Sequence, residues 1–184
     1  MTKKLMLLIC LGLIILAACE PQAPAGALEE EAYTDPSGLF TIAYPLGWLY
    51  SLDETAGVVT FAPAQQDDPQ QPLMVKVYAA PTPSTEVNAS GEEARALFET
   101  FMQANLDAEY QVYSTGETDV NKLPAVVIDF GKPLEDGFAA GRIVLLYAPG
   151  YAVAFFGSAS QTQWEAFLPT FRAILDTFQF MPQE

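Results

Sequence analysis

Residues 142–178, RIVLLYAPGYAVAFFGSASQTQWEAFLPTFRAILDTF, carry the two clearest structural patterns of the chain. Two apolar runs, 142–147 and 151–156, flank Pro149-Gly150, and so short a turn favours antiparallel neighbouring strands. Because both runs are almost continuously apolar, we expect strands that are covered on both faces of a sheet. Apolar residues then recur at helical spacing, at Trp164, Phe167, Leu168, Phe171, Ile174, Leu175 and Phe178. The stretch predicts a helix packed on an antiparallel sheet.

Proline interrupts this helical pattern. Pro169 cannot donate a backbone hydrogen bond, and its ring crowds the carbonyl four residues earlier. We therefore expect either a kink at Pro169 or two abutting helical segments.

The remaining sequence contains further strands and one more helix. Alternating or continuous apolar residues predict strands at 39–44, 49–52, 57–62, 73–78, 110–113 and 125–130. Ser90 and Glu93 have the spacing of a capping box, which places a helix start there. That helix has one apolar stripe, formed by Ala94, Leu97, Phe98, Phe101, Met102 and Leu106. A chain of roughly 150 residues without a low-complexity break indicates one domain, at 35–184.

The first eighteen residues have the pattern of an export signal. Lys3 and Lys4 precede an apolar run that is shorter than the about 20 residues of a membrane-spanning helix. The run ends Leu16-Ala17-Ala18-Cys19, which resembles the lipobox of bacterial lipoproteins, where cleavage before a lipidated cysteine leaves acyl chains on the new N-terminus. We predict a lipoprotein signal peptide at 1–18 and lipidation of Cys19. An ordinary secretory signal cut after Ala18 is the alternative.

An acidic segment separates this signal from the first predicted strand. Residues 20–33 read EPQAPAGALEEEAY without apolar periodicity, so we assign 19–34 to a flexible acidic, Pro- and Ala-rich tether. Without residues 1–18, which contain two of the eight basic residues, six Lys and Arg remain against 23 Asp and Glu, a formal charge of −17. This charge argues against nucleic-acid binding and against a basic lipid-binding patch. The predicted membrane contact is the N-terminal lipid.

The residues that common enzymes need are missing. The chain has no histidine, Cys10 is discarded with the signal, and Cys19 is acylated, so imidazole and thiol chemistry are excluded. Three acidic pairs, Asp53-Glu54, Asp67-Asp68 and Glu135-Asp136, fall in predicted loops, and neighbouring acids in a turn do not face each other across a cleft. We predict no catalytic residue, no metal site and no cofactor.

Asp129 is the acid of the apolar segment 125–130. Burial of an unpaired carboxyl group would raise its pKa and mark a functional site. The favoured interpretation is that Asp129 points to the less covered face or pairs with Arg142 on a neighbouring strand.

Two strings resemble a known family. DPSGLFTIAYPLGW at 35–48 resembles the opening of the PsbP-like domains, which are related to the extrinsic PsbP subunit of photosystem II. FLPTFRAILDTFQF at 167–180 resembles their terminal helix and its Phe-x-Phe end. The resemblance implies an α+β fold, with a central antiparallel β-sheet and helices on both faces, and members that bind proteins or assist membrane complexes. The metal sites of plant members involve histidine, so they do not carry over to this chain.

These observations predict a lipoprotein on the extracytoplasmic face of the cell membrane, with a non-catalytic role in protein binding or in assembly of a membrane complex. Its partners are then the membrane, through the N-terminal lipid, and an unidentified extracytoplasmic protein. Small-ligand or polysaccharide binding is the alternative. Trp48, Tyr50 and Tyr78 are the candidate binding surface, because exposed aromatic side chains are enriched at binding sites; for Trp48, a structural place in the turn after Tyr44-Pro45 is the competing interpretation.

Overall fold

The computed structural model describes residues 30–66, 73–82, 96, 99, 100, 103, 110–134 and 137–181. These ranges contain ten strands and the whole of the C-terminal helix. The strands are β1 (Glu30–Thr34), β2 (Phe40–Pro45), β3 (Trp48–Asp53), β4 (Val58–Pro63), β5 (Met74–Pro81), β6 (Gln111–Val120), β7 (Leu123–Leu134), β8 (Gly137–Ala148), β9 (Tyr151–Ser160) and β10 (Gln179–Phe180), and the helix is Gln161–Asp176.

Seven strands form one antiparallel sheet in the order β3-β4-β5-β9-β8-β7-β6. Tight turns connect its hairpins: Gly150 between β8 and β9 has φ +76°, and Asn121 and Lys122 between β6 and β7 have φ +50° and +70°. The apolar strands β8 and β9 lie in the interior of the sheet, as their composition predicts. The predicted central antiparallel sheet is therefore confirmed.

A second, three-stranded sheet has the order β1-β2-β10, and it corrects the predicted tether. Residues 30–34, assigned to the tether 19–34, form β1 and pair with β2 from Glu30↔Pro45 to Thr34↔Thr41. Tyr33 is the reason, because its ring is buried against Phe40 and Phe61. The predicted tether extends too far because Tyr33 is the one buried residue of β1, and a single such residue after an acidic run gives no strand pattern in the sequence.

The main core lies between one face of the large sheet, the C-terminal helix and the three-stranded sheet. Alternation in β2 buries Phe40, Ile42 and Tyr44, and the helix buries Phe167, Phe171, Ile174 and Leu175. Thr177, which follows the helix, joins it to β2, because its hydroxyl oxygen accepts a hydrogen bond from the Ala43 N–H at 2.8 Å. We call this side of the large sheet the helix face.

The opposite face of the large sheet carries a second buried cluster, made of Ile128, Phe130, Ile143, Leu145, Tyr147, Ala152, Ala154 and Phe156. The resemblance implied helices on both faces. Among the described residues, the helix face carries the C-terminal helix together with the small sheet, and no helix is shown packing on the opposite face. Ala96, Glu99, Thr100 and Gln103 are helical and exposed, whereas the predicted capping box and apolar stripe lie outside the described residues. The fold is thus richer in sheet than the sequence indicates.

The C-terminal helix is continuous through Pro169. The two abutting segments that we considered are not observed. Pro169 and Glu165, four residues earlier, are both exposed, so water can satisfy the carbonyl that loses its helical partner. No helix within the described ranges is long and apolar enough to cross a membrane.

Candidate functional site

The structure does not bring the three predicted aromatic residues together. Trp48 and Tyr50 lie on the helix face at the β3 edge, where Trp48 stacks on Phe167 with ring centroids 6.1 Å apart. Tyr78 packs against the second cluster on the opposite face. Tyr50 is 54% exposed and contacts Tyr33 at 5.1 Å between centroids. The candidate surface therefore reduces to Tyr50 at the sheet edge. Cys19 lies outside the described residues.

Asp129 pairs with Arg142, which is one of the arrangements that the sequence favoured. The two residues lie opposite each other on β7 and β8, and Arg142 Nε donates to Asp129 Oδ1 at 2.7 Å while Nη2 donates to Oδ2 at 3.1 Å. The Ser114 hydroxyl donates a further bond at 2.8 Å. Partial burial raises the pKa of Asp129, but the bonds from Arg142 and Ser114 and the charges of Arg142 and Arg172 outweigh it and hold the pKa below its usual value. Asp129 is an ionised structural carboxylate.

Strand register defines two ends of the molecule. The near end is where the described chain begins, with Glu30 opposite Pro45 and with Trp48 opposite Pro63. The far end holds the turn after β1, the turn after Asp53 and the turn at Gly150. A ten-residue strand such as β9 is about 30 Å long, so the two ends are separated by about that distance.

Two cavities open at the far end. The first has a volume of about 220 Å³ and is lined by Tyr33, Asp35, Ser37, Leu39, Phe40, Leu52, Gly57, Val59, Ala79 and Tyr151. The second is wider, about 470 Å³, and is lined by Asn121, Leu123, Asp176, Phe178, Gln179 and Phe180. The ring of Phe180 contacts Tyr151 at 5.9 Å between centroids, so these two aromatic residues stand between the cavities.

Tyr33 is the unusual residue of the first cavity. Its side chain is 5% exposed, and its hydroxyl group is buried without a hydrogen-bond partner among the described residues. Burial, followed by the charge of Asp35 and by Tyr50, raises the pKa of Tyr33, so the hydroxyl is neutral and keeps its proton. An unpaired buried hydroxyl group is costly and can bond to a small molecule that enters beside it.

Sequence reasoning missed this far end. The sequence patterns place Tyr33 in the tether and Tyr151 in a strand, and they make no prediction for Asn121. A signal did exist, because Asp35-Pro36-Ser37-Gly38 is a turn flanked by Tyr33 and Phe40, the pattern of a hairpin. No group of three or more acidic or thiol residues in the described ranges is placed to hold a metal ion.

Comparison with known proteins identifies the fold. No family model matches the chain, and no curated protein matches its sequence. Among solved structures, cyanobacterial PsbP (CyanoP) from Synechocystis is similar with a TM-score of 0.64 and 16% identity, over 85% of this chain and 95% of that one. LpqN of Mycobacterium tuberculosis gives 0.60 and 10% identity, over 85% and 93%.

The Ran-binding protein Mog1p of Saccharomyces cerevisiae is also similar, with a TM-score of 0.57 and 10% identity over 84% of this chain and 96% of that one. At such identities the likeness concerns the fold. It agrees with the two strings, at 35–48 and 167–180, that resemble PsbP-like domains. The chain has a PsbP-like domain fold.

Proposed function

We propose that this chain is a lipid-anchored extracytoplasmic protein whose far end binds another protein, in a non-catalytic role of recognition or assembly. One observation carries the proposal: the chain comes in from the predicted anchor at one end of the sheet, and both described cavities open at the other end. In a domain anchored in this way, the far end, with its cavities and its hairpin turns, faces away from the membrane.

The related folds support a binding role. LpqN is involved in cell envelope biogenesis, and Mog1p is a Ran-binding protein. The chemistry of the described residues agrees, because Asp129 is neutralised by Arg142 and the hydroxyl groups of Tyr33 and Tyr147 keep their protons: burial raises the pKa of Tyr147 to about 12. These groups are poor general bases near neutral pH.

Membrane anchoring is tested with two cysteine variants. In Cys19→Ser the predicted acceptor of the lipid is gone, so the protein should leave the membrane fraction, and metabolic labelling with a radioactive fatty acid should fail. Cys10→Ser is the matched control, since the predicted cleavage discards Cys10, and it should behave like the natural protein. Membrane retention of Cys19→Ser would overturn the anchoring proposal.

Partner binding is tested by site-specific photo-crosslinking in native membranes. A photoreactive amino acid at Gln179, an exposed far-end position, should give a discrete adduct, whereas the same amino acid at Glu165 in the exposed part of the helix should not. Mass spectrometry then identifies the adduct. Absence of an adduct at Gln179 and at further far-end positions, such as Asp53, would overturn this part of the proposal.

Small-ligand binding is the second candidate function, and the first far-end cavity is the observation that favours it. The cavity is lined by apolar residues, by Asp35 and Ser37, and by Tyr33, whose buried hydroxyl group has no hydrogen-bond partner among the described residues; its volume is below the usual range of about 300–1,000 Å³ for ligand pockets. Native mass spectrometry of protein purified from its own membranes tests it. A retained small molecule that Ala79→Phe removes supports ligand binding, and natural protein of bare chain mass contradicts it.

A further inference from the structure

The near end of the molecule exposes apolar side chains. Leu46, in the turn between β2 and β3, is 55% exposed, and Leu49, in β3, is 63% exposed. Gly47, with φ +82°, makes this turn tight. The ring of Trp48 between the two leucines is packed on Phe167. Folding therefore leaves Leu46 and Leu49 outside the core, and we call these two residues the leucine pair.

The leucine pair lies at the near end, beside Glu30, the first described residue. Glu30 is opposite Pro45, the residue before Leu46, so the segment that connects the predicted anchor to the fold ends beside the pair. Glu30 follows Cys19 by eleven residues, and a chain of that length spans at most about 40 Å. An anchored domain is therefore confined close to the bilayer, and the pair is at the end nearest to the anchor.

Charge indicates which kind of lipid surface fits. Glu30 and Glu31 stand at the same end, and the Tyr44 hydroxyl group donates to Glu31 at 3.0 Å, which holds this carboxylate near the turn. Anionic headgroups would repel these two acids, whereas zwitterionic headgroups would not. Exposed leucines enter the boundary between headgroups and acyl chains, where apolar side chains leave water.

We propose that the leucine pair contacts the surface of the bilayer that holds the anchor, with a preference for zwitterionic headgroups, and that this contact points the far end away from the membrane. The proposal rests on the lipid anchoring proposed above. It adds a second, weaker membrane contact that fixes orientation, whereas the lipid supplies retention.

The test uses a synthetic anchor, so that it does not depend on natural lipidation. A chain from Cys19 to Glu184 contains every described element and a single thiol, that of Cys19, which couples to a maleimide lipid in phosphatidylcholine nanodiscs. A gadolinium-chelating lipid in the same nanodiscs then increases the nuclear relaxation of amides close to the surface. We expect a several-fold larger increase at residues 46–50 than in the far-end turn at 54–57.

Substitutions of the leucine pair test whether these side chains, and not the lipid attachment alone, bring the near end to the bilayer. Leu46→Ser with Leu49→Ser should reduce the difference between the two ends severalfold while leaving the fold intact, since both side chains are exposed. Val112→Ser is the matched control, because Val112 is also exposed, at 49%, but belongs to β6 at the opposite edge of the sheet. Replacing part of the phosphatidylcholine with anionic phosphatidylglycerol should reduce the difference in relaxation between the two ends of the unsubstituted protein.

Equal relaxation at both ends, or a pattern that the double leucine variant leaves unchanged, would overturn the leucine contact. Neither result would affect the anchoring proposal, which the Cys19→Ser fractionation decides by itself. Conversely, membrane retention of Cys19→Ser in that experiment would remove the biological basis of the contact even if the nanodisc pattern appeared.

Discussion

The ring of Phe171 covers Gly157, so closely that a methyl group on Gly157 would lie 2.6 Å from the ring atom Cδ2. Gly157 is on β9 and Phe171 is on the C-terminal helix, and this contact sets how near the helix lies to the sheet. Gly157→Ala should therefore lower the free energy of unfolding by about 2 kcal/mol, because the buried ring must move. Urea denaturation measures the change.

Gly116→Ala is the control for this experiment. Gly116 lies on the exposed strand β6, and an added methyl group there meets no atom within 4 Å. Its effect should stay within about 0.5 kcal/mol. Equal effects at the two glycines would contradict the close helix contact.

The ion pair between Asp129 and Arg142 predicts a pH dependence of stability. Because its pKa is lowered in the folded protein, Asp129 contributes stability above the pKa of an unfolded carboxyl group and loses it as the pH falls through the folded pKa. Asp129→Asn should therefore cost about 1–2 kcal/mol at neutral pH, allowing for the partial exposure of the pair. The natural protein and the variant should converge in acid.

Urea unfolding at a series of pH values, from neutral to about pH 3, follows this convergence. Glu165→Gln, which removes an exposed carboxylate from the helix, should change little at any pH. A deficit of Asp129→Asn that stays constant down to the lowest pH would show that the charge of Asp129 is not its cause.

The turn between β6 and β7 predicts a stabilising substitution. Lys122 has φ +70°, in the left-handed region that favours glycine, and hairpin turns of this kind prefer Asn-Gly. Lys122→Gly should raise the free energy of unfolding by about 1 kcal/mol, which thermal unfolding measures.

Asn121 in the same turn gives the opposite expectation. Its side-chain amide donates to the carbonyl oxygen atoms of Asp176 at 3.1 Å and Phe178 at 2.7 Å, which fastens the hairpin to the end of the helix. Asn121→Ala should destabilise the protein by about 2 kcal/mol through the lost bonds and the positive φ. In Asn121→Gly only the first cause acts, because glycine tolerates the positive φ, so a fully stable glycine variant would mean that these bonds contribute nothing.

Removal of the Tyr33 hydroxyl group should leave the ligand-free protein as stable as before or make it more stable. Tyr33→Phe deletes a buried hydroxyl group that has no partner in the described part of the chain, so the free energy of unfolding should rise by up to about 1 kcal/mol. Tyr44→Phe is the matched control, because the Tyr44 hydroxyl group donates to Glu31, and its loss should be destabilising. If both variants lose stability equally, the Tyr33 hydroxyl group has an acceptor.

Local patterns predicted much of the architecture. The positions of the strands β2 to β5 and β7 to β9 and of the C-terminal helix follow from the periodicity of apolar residues, whereas only the start of the exposed strand β6 was predicted. The pairing of Asp129 with Arg142 was among the favoured arrangements. The resemblance at 35–48 and 167–180 predicted the fold that the structural comparisons support.

Nonlocal contacts account for what the sequence did not predict. Strand β1 exists because Tyr33 fits between Phe40, Tyr50 and Phe61, three residues that only folding brings together. Likewise, Tyr78 was grouped with Trp48 and Tyr50 because all three are aromatic. In the structure, the alternation of side chains along β5 places Tyr78 on the opposite face of the sheet. The far-end cavities are formed by turns from distant parts of the chain, and no periodicity describes such a juxtaposition.

The small sheet joins the first and the last strands of the described chain, since β1 and β10 both pair with β2. Folding of this sheet is complete only when Gln179 and Phe180 have left the ribosome. Until then β2 lacks its neighbour β10, and the buried ring of Phe178, which lies 5.7 Å from that of Phe40 between centroids, has no strand after it to hold it in place. The small sheet is therefore closed by a strand that is synthesised after β1 to β9 and the helix.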